Sequence, residues 1–261
     1  MKIRVLGCYG GRLLGFHLSS FLINDSILLD AGSPTACLTL EEQNRIEHVF
    51  ISHTHLDHIQ DIAFLSDNRS LKRLAGERKK RTISIHSVQE NLDVLKTHFL
   101  NDLVWPDFTV IPKPEDPILK LEAIEAYQPV IMDDLTITPI PMNHPVPCTG
   151  FLLDQNGKQF IYSADTGISD AIWKIANAQP NLCGLIIDCS FPNDYAFLAK
   201  ISGHMTPKQM GKEVRKLDKL GEIPIYLFHM KPETLAVMSQ EIDAENIPHL
   251  RMLTQVDEFL L

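Results

Sequence analysis

Short apolar runs rich in β-branched residues recur along the chain at 3–6, 20–23, 27–30, 48–52, 82–85, 135–140, 151–154, 160–163, 185–188 and 223–228. Each has the length of a strand and is bounded by turn-forming residues, so each predicts one. Between them lie segments at 38–45, 59–74, 88–98, 168–176, 207–217 and 232–239 whose apolar positions fall three and four apart. That spacing places them on one face of a helix. Thr206-Pro207 supplies an N-cap followed by proline at the first helical position, and Lys231-Pro232 opens its helix in a similar way. The alternation predicts an α/β protein. Asn156-Gly157, between Phe151-Leu152-Leu153 and Phe160-Ile161-Tyr162, carries the turn chemistry of a tight hairpin, so part of the sheet is expected to be antiparallel. The stretch 101–116 holds prolines 106, 112 and 114, with 117 at its edge, and predicts a long irregular loop or lid. With no repeat, low-complexity tract or linker, residues 1–261 are read as a single domain.

Composition narrows the range of functions. A hydrophobic content of 44% can fill a sizeable core, and a formal net charge of -9 opposes the basic face that a long nucleic acid requires. Cys8, Cys37, Cys148, Cys183 and Cys189 are scattered and form no CxxC pair, which argues against both a disulfide framework and a thiolate zinc site. No run approaches the roughly 20 apolar residues of a membrane span, and the chain starts as a strand rather than a signal peptide. The expectation is a soluble cytoplasmic protein without a membrane partner.

Chemistry concentrates directly after the run at 48–52, where His53, His55, Asp57 and His58 fall within six residues. Neutral imidazoles and carboxylates bind zinc, and a loop at a strand end can turn alternate side chains toward two neighbouring ions. His53 and His55 would serve one ion, Asp57 and His58 the other. Two ions need further donors at ends of strands on the same sheet edge, and three residues meet that condition: His144 after 135–140, Asp165 after 160–164 and His229 after 225–228. Taken singly, each histidine is as often a satisfied core residue as a ligand; the shared pattern favours ligation.

The order HTHLDH, His144, SADTG containing Asp165 and HMKP containing His229 resembles the ligand order of the metallo-β-lactamase superfamily over nearly the whole chain. The resemblance implies an αβ/βα sandwich of mixed sheets with helices on the outer faces and the site along one edge. It implies two Zn2+ ions, with manganese or iron as substitutes: one on His53, His55 and His144, the other on Asp57, His58 and His229, with Asp165 bridging. Within the superfamily, Leu56 in HTHLDH, the opening LGCYGG, Trp105-Pro106-Asp107-Phe108 and the strand IIDCSF are similar to class II cyclic-nucleotide phosphodiesterases. That similarity implies a small-molecule cyclic nucleotide as partner. A hydroxide bridging the metals would hydrolyse a 3',5'-cyclic nucleotide, cyclic AMP favoured, to the 5'-nucleotide.

Asp57 and His204 are the candidate catalytic residues. His204 lies in a loop before a capped helix, where a general acid, a phosphate contact and a surface histidine are the alternatives. Asp188, and more weakly Asp30, end buried-strand patterns where a carboxylate needs a partner, so each is expected to orient a ligating histidine. Gly7, Gly10 and Gly11 either offer backbone N–H groups to a phosphate or serve a turn. The basic run Arg78-Lys79-Lys80-Arg81, with Arg69, Lys72 and Arg73 before it, reads as a solvated helix end. His17, His48, His86, His98 and His249 receive no role. Rival functions are a tRNA 3'-processing endonuclease, a lactonase or other ester hydrolase, and a non-catalytic metal-binding scaffold. A homodimer is left open.

Overall fold

The computed structural model describes residues 1–74 and 82–261. Its strands are β1 (Lys2–Gly7), β2 (Ser20–Ile23), β3 (Ile27–Leu29), β4 (His48–Phe50), β5 (Ile83–Ser87), β6 (Leu119–Ala123), β7 (Val130–Met132), β8 (Leu135–Pro141), β9 (Thr149–Gln155), β10 (Lys158–Tyr162), β11 (Leu182–Asp188), β12 (Ile225–Phe228), β13 (Leu250–Met252) and β14 (Glu258–Leu260). They form two seven-stranded sheets, ordered β14-β1-β2-β3-β4-β5-β6 and β13-β12-β11-β10-β9-β8-β7. Both are mixed: β3 to β6 run parallel while β14, β1, β2 and β3 pair antiparallel, and β10 to β13 run parallel after the antiparallel β7 to β10. Asn156 and Gly157 take φ of 54° and 79° between β9 and β10, the pair of positive angles that a twisted two-residue hairpin requires.

Period-two alternation explains the layers. Phe50 and Ile186 point between the sheets with Phe21, Phe151, Phe160, Tyr162 and Phe228. Their neighbours Val49 and Ile51 face outward to Ile62, Leu65 and Leu95. Leu185 and Ile187 likewise face Trp173, Met210 and Met238. Sheet thus packs on sheet, with helices outside each, which is the expected αβ/βα sandwich. Among the described residues, no helix is long and apolar enough to cross a membrane.

Several elements differ from the sequence pattern. The helical pattern at 38–45 narrows to Leu40–Gln43, with a separate turn at Pro34–Cys37 before it, and that at 59–74 to Asp61–Leu74, with a separate turn at Leu56–Ile59 before it. β6, β7, β13 and β14 escape the sequence pattern because they are short strands at the sheet edges, where Lys120, Ile131, Arg251 and Glu258 face solvent. The loop at 101–116 is irregular as expected, yet Phe108 is buried and Trp105 packs edge-on to Phe64 at 5.4 Å. Arg69 is a correction: instead of ending a solvated helix it is buried, and it donates to the carbonyls of Gln43 and Ile46. The side chains of Lys72 and Arg73 and the run 78–81 lie outside the described residues.

His86 also acquires a setting that the sequence did not suggest. It stacks on Phe50 at 4.4 Å, and its Nε2 is 3.0 Å from Nδ1 of His48. Burial, and then the neighbouring His48, push its pKa down to about 4. A histidine lowered in the folded state binds its proton more readily when unfolded, so its contribution is complete above about pH 6.5 and is lost as pH falls toward 4. In urea titrations, the wild type is expected to lose about 2 to 3 kcal/mol more than His86→Gln between pH 7 and 4. Parallel losses in the two proteins would show that His86 titrates normally.

Candidate metal centre

The chain beyond β4 continues extended through His55, the N-cap of the helix Leu56–Ile59, which carries Asp57 and His58 in its single turn. Ala31 N–H donates to the His58 carbonyl at 2.7 Å, and a Cβ on Gly32 would stand 2.2 Å from the Asp57 carbonyl, so this turn closes directly over glycine. From the second sheet, His144 comes after β8, Asp165 after β10 and His229 immediately after β12. Asp30, Ala164 and His229 adopt φ of 58°, 52° and 71°, left-handed backbone that costs a non-glycine residue about 1 kcal/mol or more. Strain of this kind at three strand ends on one edge accompanies the turning of their side chains into a shared site.

All seven expected ligand residues meet there. Donor atoms of His53, His55, His144 and Asp165 lie within 4.8 Å of one another, and those of Asp57, His58 and His229 form a second such group. His144 Nε2 is 3.4 Å from His55 Nδ1, and His229 Nε2 is 3.1 Å from Asp57 Oδ2 and 3.4 Å from His58 Nε2. Asp165 stands between the groups, with Oδ2 3.5 Å from His53 Nε2 and 3.3 Å from His229 Nε2, and Oδ1 3.3 Å from His58 Nε2. His53 Nε2 and Asp165 Oδ1 are nonetheless buried with no hydrogen bond. Leaving such groups unsatisfied costs about 1 to 3 kcal/mol each, and a coordinated cation removes that cost for both. The imidazole and carboxylate set fits zinc, with manganese and iron also accommodated.

Hydrogen bonds at the far ring nitrogens aim the donors. His144 Nδ1 is 3.1 Å from the Gly203 carbonyl, which only accepts, so the proton sits on Nδ1 and Nε2 keeps its lone pair. His58 Nδ1 is held likewise by Asp30 Oδ2 at 2.8 Å. Asp30 also accepts from Ser52 N–H at 2.8 Å, Ser52 Oγ at 2.9 Å and Tyr162 OH at 2.7 Å, so the weaker expectation proves the more direct one. Asp188 meets its expectation at one remove and holds a further histidine besides. Its Oδ2 holds His204 Nδ1 at 2.7 Å, whereas it reaches the ligand-set histidine His229 through Ser190, which donates to Asp188 Oδ1 at 3.0 Å and lies 2.9 Å from His229 Nδ1.

Gly10 is explained by close approach, not by a phosphate. A Cβ there would be 2.6 Å from His229 Nδ1, and its N–H is already spent on the Met230 carbonyl. Gly7 similarly abuts Leu18 and Gly11 abuts Pro232. Ser52, Ser190 and Tyr162 were missed by sequence reading; only the position of the two serines beside a strand end hinted at them.

The electrostatics suit cation binding. Burial pulls His53, His55 and His144 down, which keeps them neutral and able to ligate. Asp57 and Asp165 stay ionised because adjacent histidines outweigh burial. At His58 burial is opposed and overcome by Asp165, Asp30 and Asp57, which together favour positive charge at that point. His204 rises because Asp188 prevails over burial, and its ring stacks on His229 at 4.9 Å beside His144 at 5.2 Å.

Comparisons with known proteins agree with this geometry. The sequence profile of the beta-lactamase superfamily domain matches residues 25–230. The chain is 30% identical over 283 aligned positions to a probable 3',5'-cyclic-nucleotide phosphodiesterase of Yersinia pestis, spanning 88% of this chain and 78% of that protein. It is 26% identical over 272 positions to a 3',5'-cyclic-nucleotide phosphodiesterase of Aliivibrio fischeri, spanning 86% and 78%. The crystal structure of unliganded yeast PDE1 superposes with a TM-score of 0.81 at 17% identity, over 100% of this chain and 99% of that one, a likeness of fold.

Proposed function

Because the chain belongs to the metallo-β-lactamase superfamily of hydrolases, we propose that it hydrolyses 3',5'-cyclic nucleotides, cyclic AMP foremost, to 5'-nucleotides on a two-zinc centre. The observation that carries this reading is the position of Asp165 between two groups of donors, within 3.5 Å of His53 on one side and of His58 and His229 on the other. His53, His55 and His144 would hold one ion, Asp57, His58 and His229 the other, with Asp165 common to both. When bound, the ions would supply Lewis acidity toward the phosphate oxygens and a water nucleophile at neutral pH.

The remaining steps fall to the protein. Asp30, itself held by Ser52 and Tyr162, and Asp188, through Ser190, fix the rings of His58 and His229 before substrate arrives. Such preorganisation means that no reorientation is needed during reaction. Asp57 commits Oδ2 to His229, and its partly exposed carboxylate would orient the attacking water. His204, with Nδ1 tied to Asp188, would present Nε2 to the substrate and either protonate the departing 3' oxygen or hold the phosphate.

The test is a turnover screen of zinc-loaded protein on 3',5'- and 2',3'-cyclic nucleotides, a nitrophenyl diester and an acyl lactone. The expected result is hydrolysis of the 3',5'-cyclic substrates. Clear lactone turnover with no reaction on either cyclic class would overturn the substrate while leaving the donor groups in place.

A further inference from the structure

Beside the metal centre, a cleft of about 440 Å³ is lined by Asn143, Pro145, Ile168, Lys200 and Gln209 together with His144 and His204. Its size suits a small molecule, and it opens onto His144 and His204 at the edge of the donor cluster. Two amides in its wall are half used by the protein. Asn143 Nδ2 donates to the Ile168 carbonyl at 2.8 Å, which fixes the amide and leaves Oδ1 as an acceptor. Gln209 Oε1 accepts from Thr206 N–H at 3.0 Å within the capping box of the helix Pro207–Val214, which leaves Nε2 as a donor. Pro145 and the half-exposed Ile168 supply apolar surface. One donor, one acceptor and apolar walls suit a flat heteroaromatic ring that carries both hydrogen-bonding senses on its edge.

We propose that this cleft is the nucleobase subsite, in which Gln209 Nε2 donates to a ring nitrogen and Asn143 Oδ1 accepts from an exocyclic amine of the base. The adjacent N6 amine and ring nitrogens of adenine provide that complementary edge, the pairing amide side chains commonly make. The inference deepens the cyclic-nucleotide reading and rests on it.

Gln209→Glu tests it sharply, because glutamate keeps the capping box while replacing the free donor by an acceptor. KM for cyclic AMP is expected to rise about tenfold with kcat changed less than about twofold, the size of one misplaced hydrogen bond. The ratio of kcat/KM for cyclic AMP to that for cyclic GMP, whose N1–H and amine suit a carboxylate, should fall at least as much. Ile168→Ala should raise KM for both nucleotides and leave their ratio unchanged. Unaltered KM values and ratio in Gln209→Glu, with intact wild-type turnover, would overturn the subsite and leave the activity standing. An equal loss of kcat on every substrate would also overturn it, as a structural effect. A wild type that cleaves the nitrophenyl diester and neither cyclic nucleotide would overturn the activity itself, and the subsite with it.

Discussion

Replacing Asp165 by alanine is expected to remove bound metal and to lower turnover of every substrate by about a thousandfold or more, the scale of losing the principal charge stabilisation of a site. Its carboxylate is 1% exposed and lies within 3.5 Å of His53, His58 and His229 together. Without it, each donor group keeps three residues, and the carboxylate that stands between the groups is lost. Atomic absorption on the purified variant should give about one ion per chain or fewer against about two for the wild type. A variant that retains both ions and full turnover would remove Asp165 from the centre.

The second large effect concerns His204. His204→Ala should slow cyclic AMP hydrolysis by about 100- to 10,000-fold, yet slow a diester with a nitrophenolate leaving group far less, because that group departs without a proton. The geometry serves either role. Asp188 at 2.7 Å stabilises the protonated ring and leaves Nε2 on the side of the cleft shared with His144. Equal losses on the two substrates would rule out proton transfer and assign His204 to holding the phosphate.

The sandwich and the meeting of seven donors were legible because both depend on local pattern. Apolar runs of strand length mark the central strands, and a donor just past each run lands on the common edge, as His53, Asp165 and His229 do. What stayed hidden depends on distant partners or on shape. Tyr162 and Asp30 meet across 132 residues, and no spacing in either segment announces it. Ser190 links Asp188 to His229, and a buried serine looks the same in sequence whatever it bridges. Gly10 resembles any turn glycine until His229 is seen against its Cα. The edge strands β7, β13 and β14 are three residues long and lack the alternation that a longer strand displays.

The donors are divided between the two halves of the sandwich: His53, His55, Asp57 and His58 follow the first sheet, while His144, Asp165 and His229 follow the second. A chain still emerging from the ribosome therefore cannot assemble the second donor group until His229 has been made, long after His58 is available. Metal would then be acquired as a closing stitch, once both sheets have been laid together.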